Sequence, residues 1–160
     1  MAMTMKMEGL DQVSDMLDRL GNRAEEVASG SLFKGAGVVA DAFKSATGSI
    51  RTETFRGKRE HRMPSPEEKA ALAGKSGIAK FKKNGNEVDT IVGIAQNAGY
   101  ATLGKRKVAV REIARSINSG TSFMQKQPVF RRAVSSSKGA ASAAIVSAAE
   151  KMFNEIINGK

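Results

Sequence analysis

Residues 78–94 read IAKFKKNGNEVDTIVGI, and this stretch decides the fold. Two runs, Ile78 to Lys83 and Glu87 to Ile94, flank Asn84-Gly85-Asn86. An Asn-Gly pair accepts positive φ at little cost, so the segment predicts a β-hairpin. Most of the remaining chain carries helical periodicity. A hairpin inside a helical chain makes the expected class α+β, with a small, mostly antiparallel sheet between N-terminal helices and a long C-terminal helix packed against it.

Working outward toward the N-terminus, Ser65-Pro66-Glu67-Glu68 is a helix start: a Ser cap, Pro in the first turn, and carboxylates near the positive end of the helix dipole. That helix is expected to stop by Gly74. Arg56 to Pro66 is polar and basic, with Arg56, Lys58, Arg59, Arg62 and His61, and reads as a loop or arm. Ser49 to Phe55 alternates and is expected to be a strand. Thr47-Gly48 is expected to end a helical region, with Gly48 as a left-handed cap. Val38, Val39, Ala42, Phe43 and Ala46 form one apolar series; Leu10, Val13, Leu17, Leu20, Ala24 and Val27 form another. Gly30, Gly35 and Gly37 lie between them, and each interior glycine costs about 1 kcal/mol against Ala, so a kink or break is expected there. Gly21-Asn22 marks a second possible division. Met3, Met5 and Met7 alternate with polar residues, the period of a short strand.

Toward the C-terminus, Asn97 to Gly104 reads as a loop and Arg106 to Ile117 as a basic amphipathic helix, with Arg106, Lys107, Arg111 and Arg115 off its apolar side. Phe123 to Val129 reads as a loop pinned by Pro128. A long helix then runs to about Ile157, with Val134, Ala141, Ile145, Ala148, Met152 and Ile156 as its stripe. Its alanines are expected to let it approach the first helix to about 8 Å, against Leu10, Val13, Leu17 and Leu20.

The 160 residues form one domain's worth of chain, at a net charge of +10. Residues 1–50 hold 5 basic and 7 acidic side chains, 51–138 hold 19 and 7, and 139–160 hold 2 of each. The excess therefore sits in the middle, suited to nucleic acid, to an acidic surface, or simply to a solvated basic face. Cysteine is absent, which excludes disulfides, thiolate metal sites and a cysteine nucleophile. One histidine, His61, cannot build a histidine cage or be placed in a triad. No membrane-length apolar run and no leader pattern at Met1 to Leu10 are seen, so the expected compartment is the cytoplasm or a particle assembled there. Gly74-Lys75-Ser76 fails as a phosphate loop, because Lys69 stands where the earlier glycine belongs. Gly35-Ala36-Gly37 fails as a dinucleotide fingerprint, with Ala40 in place of its third glycine. Glu67 and Glu68 are adjacent and point apart on a helix. No catalytic residue, cofactor or metal is expected, and the chain reads as a non-enzyme.

Several segments, in one order, resemble the small tail-completion, or head–tail joining, family of long-tailed bacteriophages. They are Met5-Lys6-Met7-Glu8-Gly9-Leu10-Asp11, Thr47-Gly48-Ser49-Ile50-Arg51, Tyr100-Ala101, Gly120-Thr121 and Gln127-Pro128-Val129-Phe130. The chain departs from the family pattern where Val129 splits the Pro-Phe pair and where Asn118-Ser119 replace an acidic–aromatic pair. It departs again in the basic segment 102–119, which has no family counterpart. The resemblance implies a structural virion protein of the phage neck, located in the virion after assembly in the host cytoplasm. It implies a hexameric or dodecameric ring linking the capsid connector to the tail. Its partners would be copies of itself, adjacent head-completion or connector proteins, tail-terminator or tail-tube proteins, and genome DNA in the channel, with no membrane. Under that reading residues 51–66 form a basic arm, with Arg51, Phe55, Arg56, Lys58, Arg59 and Arg62 at a subunit or ring interface. Arg106, Lys107, Arg111 and Arg115 face the channel or an acidic partner, and Thr47, Gly48, Gly120, Thr121, Pro128 and Phe130 are structural. The alternative is a basic nucleic-acid-binding accessory protein.

Overall fold

The structure, a computed structural model, describes residues 10–54, 62–84, 87–95 and 98–158. The expected strand at Met3–Met7, the arm residues 55–61 and the hairpin turn Gly85-Asn86 lie outside them. The fold is α+β. Helix α1 (Leu10–Gly48) is followed by α2 (Pro66–Leu72), six short strands, α3 (Val110–Ser119) and α4 (Val129–Ile157).

Strands β1 (Ser76–Ile78) and β4 (Val92–Ile94) pair antiparallel, as do β2 (Lys82–Asn84) and β3 (Glu87–Asp89). Together they are the expected hairpin, in two ladders, with Asn84 opposite Glu87 beside the turn. The strands β5 (Tyr100–Leu103) and β6 (Arg106–Ala109) form a further ribbon, Thr102 opposite Lys107. Among the described residues the β-structure is thus three two-stranded ladders rather than one sheet.

Four expectations about segments are corrected. Residues 50–54 form no strand. Their backbone groups bond to Pro64, to the Gln127 side chain and to Lys69 rather than into a ladder. The loop expected at Asn97–Gly104 contains β5, and Gly104, at φ +60, makes the tight turn into β6. Arg106 and Lys107 consequently lie on a strand, and the basic helix begins only at Val110. Finally, α1 is unbroken through Gly30, Gly35 and Gly37 and does not divide at Gly21.

The continuity of α1 has a packing cause. It pairs antiparallel with α4, and glycine is what lets the axes close. A Cβ on Gly30 would lie 2.7 Å from Met152 Cε. One on Gly35 would lie 2.7 Å from Ile145 Cδ1 and 2.9 Å from the Ala141 carbonyl oxygen. Burial of this contact outweighs the propensity cost of the glycines. The expected stripe is therefore right at Ala141, Ile145, Met152 and Ile156 but wrong at Val134, which is 46% exposed. α4 meets α1 at Gly30, Gly35 and Phe43, and the side chains of Leu10, Val13 and Leu17, expected as its partners, lie outside the described residues.

The core sits at the C-terminal end of α1. Phe43, Ala46 and Ile50 cluster with Leu72, with Val110, Ile113, Ala114 and Ile117 of α3, and with Met124, Phe130 and Ala133. Leu103, Val108 and Ile94 from the ribbons pack against it. The α3 stripe is read correctly from sequence, and Ile117 is 0% exposed.

Candidate assembly surface

The segments singled out by the resemblance lie far apart in sequence, and several of them converge at one junction. Phe130, in the first turn of α4, stacks on Phe43 of α1 with ring centroids 5.4 Å apart. Gln127 reaches back across 76 residues: its Oε1 accepts from the Arg51 amide at 3.0 Å and its Nε2 donates to the Arg51 carbonyl at 2.9 Å. Its own amide donates to the Ile117 carbonyl at 2.8 Å. Gly120 ends α3 at φ +76, with Lys126 Cβ 3.0 Å from where a side chain would begin, so position and conformation both demand glycine. Thr121 Oγ1 accepts from the Phe123 and Met124 amides at 3.2 and 3.0 Å and folds the connecting loop. Pro128 stands just before α4.

Thr47 is buried and donates to the Phe43 carbonyl inside α1. Gly48 is corrected: it is the last residue of α1 and is not among the positive-φ glycines. Lys69 terminates α1 instead, its Nζ donating to the Gly48 carbonyl at 2.7 Å and the Ile50 carbonyl at 2.9 Å. A cation there also meets the negative end of the helix dipole.

The expected arm is held at its base. The Glu53 amide donates to the Pro64 carbonyl at 3.0 Å, and Arg62 forms an isolated parallel bridge with Met124. Of the expected interface set, Arg62 makes its described contacts within the chain. Its guanidinium grips Glu68 in a two-pronged ion pair, Nη1 to Oε2 at 2.7 Å and Nη2 to Oε1 at 2.5 Å. Glu68 is 6% exposed and also accepts from the Ser65 amide while Ser65 Oγ accepts from its own, completing a capping box. Burial pushes the Glu68 carboxyl up, but Arg62 and the Ser65 amide together hold it below the usual carboxylate range. Arg62 is raised in return. An arginine committed in this way is an internal anchor. Arg51 keeps an exposed side chain, whereas Phe55, Arg56, Lys58 and Arg59 lie outside the described residues.

Arg106 and Lys107 on β6, and Arg111 and Arg115 on α3, are all exposed and belong to one contiguous β6–α3 segment. Arg111 has Glu112 at 3.5 Å. Sequence reading did not anticipate the exposure of two aromatics, Tyr100 on β5 (75% exposed) and Phe123 in the loop after α3 (69%). The β5–β6 ribbon would have revealed Tyr100, because its Ala101 and Leu103 face the core and alternate residues point outward. Phe81 pairs with the half-exposed Phe33 of α1 at 6.3 Å. It pins the long hairpin along α1, helped by the Lys83–Glu25 ion pair.

Two clefts adjoin the core. One of about 450 Å³ lies between the end of α1 and α2, lined by Thr47, Thr52, Pro66, Lys69 and Ala73. The other, about 550 Å³, has Arg106, Val108, Ser116 and Phe123 on its banks and the Arg62–Glu68 pair in its lining. Among the described residues no buried side-chain polar atom lacks a partner and no cluster of His, Asp or Glu could hold a metal. Among the same residues no helix is long and apolar enough to cross a membrane. No family model, curated protein or solved structure matches the chain.

Proposed function

We propose that this chain is a non-enzymatic structural subunit of a tailed-bacteriophage particle, part of the neck, which assembles into a ring between the capsid connector and the tail. The observation that carries the reading is the junction. Thr47–Arg51, Gly120-Thr121 and Gln127–Phe130 resemble the family in order, and the first and last of these are tied together by the Gln127 clamp on the Arg51 backbone, beside the Phe43–Phe130 stack. Shape supports the same reading. The 39 residues of α1 span about 58 Å at 1.5 Å per residue, whereas a compact chain of this length has a radius of gyration of about 15 Å. Ribbons of two strands and an over-long helix suit a subunit that completes its packing against neighbours.

The test is electron microscopy and mass measurement of the purified protein across a concentration series, without DNA. Closed rings are expected. A monomer at every concentration would overturn the proposal. The second reading, a nucleic-acid-binding accessory protein, draws on the exposed Arg106, Lys107, Arg111 and Arg115. Tight, steeply salt-dependent binding of duplex DNA by a monomer that never forms rings would favour it.

A further inference from the structure

Helix α4 meets α1 along one side only. Ala141, Ile145 and Met152 turn toward the α1 glycines. Roughly 140° around the helix from them, at 3.6 residues per turn, runs a second stripe. Arg132, Gly139, Val146 and Phe153 recur every seven residues, and Ser136, Ala143, Glu150 and Ile157 each follow four residues later. All eight are exposed, Val146 by 54%. Alternating steps of four and three are the repeat by which one helix seats against another. Here the repeat faces away from the helix's own partner. Gly139 sits in its middle, where a Cβ would meet nothing within 4 Å. Glycine is the poorest helix former after proline, and no contact among the described residues explains it at this position.

Two charges on the stripe select what covers it. Arg132 and Glu150 have no ion pair among the described residues, whereas the neighbouring Lys151 and Glu155 pair with each other at 3.9 Å. Laid antiparallel on a second α4 with Arg132 opposite Glu150, the helix also sets Ser136 opposite Val146 and Gly139 opposite Ala143. A two-fold axis repeats every one of these contacts. Sliding one copy by seven residues puts Arg132 opposite Ile157 and Glu150 opposite Gly139, or Arg132 opposite Ala143 and Glu150 opposite Gln125. Both charges then lose their partners. A parallel arrangement sets like charge beside like charge.

We infer that the exposed face of α4 docks a second copy of this chain, α4 against α4 and antiparallel, in the register that joins Arg132 to Glu150 twice. The smallest residues of the stripe, Gly139 and Ala143, form the closest approach, and the exposed Val146 and Phe153 leave water on either side of it. Such a contact uses the same patch on both copies and closes as a pair. A ring needs a different, heterologous contact, so the inference goes beyond the ring reading and does not rest on it.

Sedimentation velocity across a concentration series, with three charge variants, tests it. Arg132 and Glu150 are 18 residues apart, about 27 Å along α4, and cannot touch within one copy. R132E and E150R each bring like charges together twice and should weaken pairing at least about tenfold. R132E/E150R in one chain exchanges the signs and should recover it, and so should an equal mixture of the two single variants. All four positions of substitution are exposed or open, and circular dichroism checks folding. The chain has no cysteine, so Gly139→Cys mixed with Ala143→Cys should yield a disulfide-linked dimer on mild oxidation. Pairing unchanged in the single variants, a double variant that fails to recover, or no cross-link would overturn the inference. So would an unmodified protein that stays monomeric to ~1 mM. Rings that form equally well in all three charge variants, with no cross-link, would overturn it while leaving the ring reading intact. Discrete pairs that never close into rings would uphold it and overturn that reading.

Discussion

Gly35→Ala and Gly37→Ala form a matched pair that tests how α1 and α4 approach each other. Both positions are interior to the same helix, so replacing glycine by alanine should return about 1 kcal/mol of helix propensity at each. Their surroundings differ. A methyl group on Gly37 meets nothing within 4 Å. One on Gly35 would stand 2.7 Å from Ile145 Cδ1 and 2.9 Å from the Ala141 carbonyl oxygen. The isoleucine methyl can turn aside, but the carbonyl is backbone and moves only if α4 shifts. Overpacking of this kind costs about 1–3 kcal/mol. The propensity gain cancels between the two variants, so Gly37→Ala should exceed Gly35→Ala in stability by about 1–3 kcal/mol. At about 2–4 °C per kcal/mol for a chain of this size, Gly37→Ala should melt a few degrees above the parent and Gly35→Ala at or below it. Thermal and urea unfolding followed by circular dichroism at 222 nm would measure both. Equal stability of the two variants would refute the close approach of the helices at Gly35.

Three further outcomes are expected. Because the Glu68 carboxyl lies lower in the folded chain than its unfolded value, its contribution to stability is complete above about pH 4.5 and is lost as pH falls through the folded value. Glu68→Gln should flatten that acid limb and cost roughly 1–3 kcal/mol at neutral pH, read from unfolding curves across pH. Ile117→Ala removes a side chain with no exposure from the core and should cost about 2–5 kcal/mol, measured by urea unfolding. Ile145→Asp sets a carboxylate against Gly35 and the α4 backbone and should unfold the monomer; a folded variant that merely fails to assemble would show that Ile145 serves contacts between copies instead.

Much of the site region was legible, and the misses have definite causes. The Ser65-Pro66-Glu67-Glu68 start was read correctly, because capping chemistry is local. That Glu68 would be buried against Arg62 was not, since Arg62 sits outside the helix, in a stretch whose composition is that of a solvated arm. Arg106 and Lys107 were placed on a helix because they run without a break into the helical series Val110, Ile113, Ala114 and Ile117. The ladder that makes 106–109 a strand is formed with Tyr100–Leu103, and pairing partners are not written in a single run. Gln127 showed no local signal at all for its clamp on Arg51, 76 residues away.

The sequence by itself determined the α+β class, the hairpin around Asn84-Gly85-Asn86, the capped start of α2, the apolar face of α3 and the extent of α4. Each of these depends on propensity, periodicity or capping within a few residues, which act before any tertiary contact forms. Tertiary structure alone decided that α1 is one helix. Glycines at 30, 35 and 37 weaken a helix considered in isolation, yet Gly30 and Gly35 are the places where α4 comes close enough to bury both helices. It also decided which basic residues are free and which are internal anchors, because burial and pairing are properties of neighbours that the chain brings together only on folding.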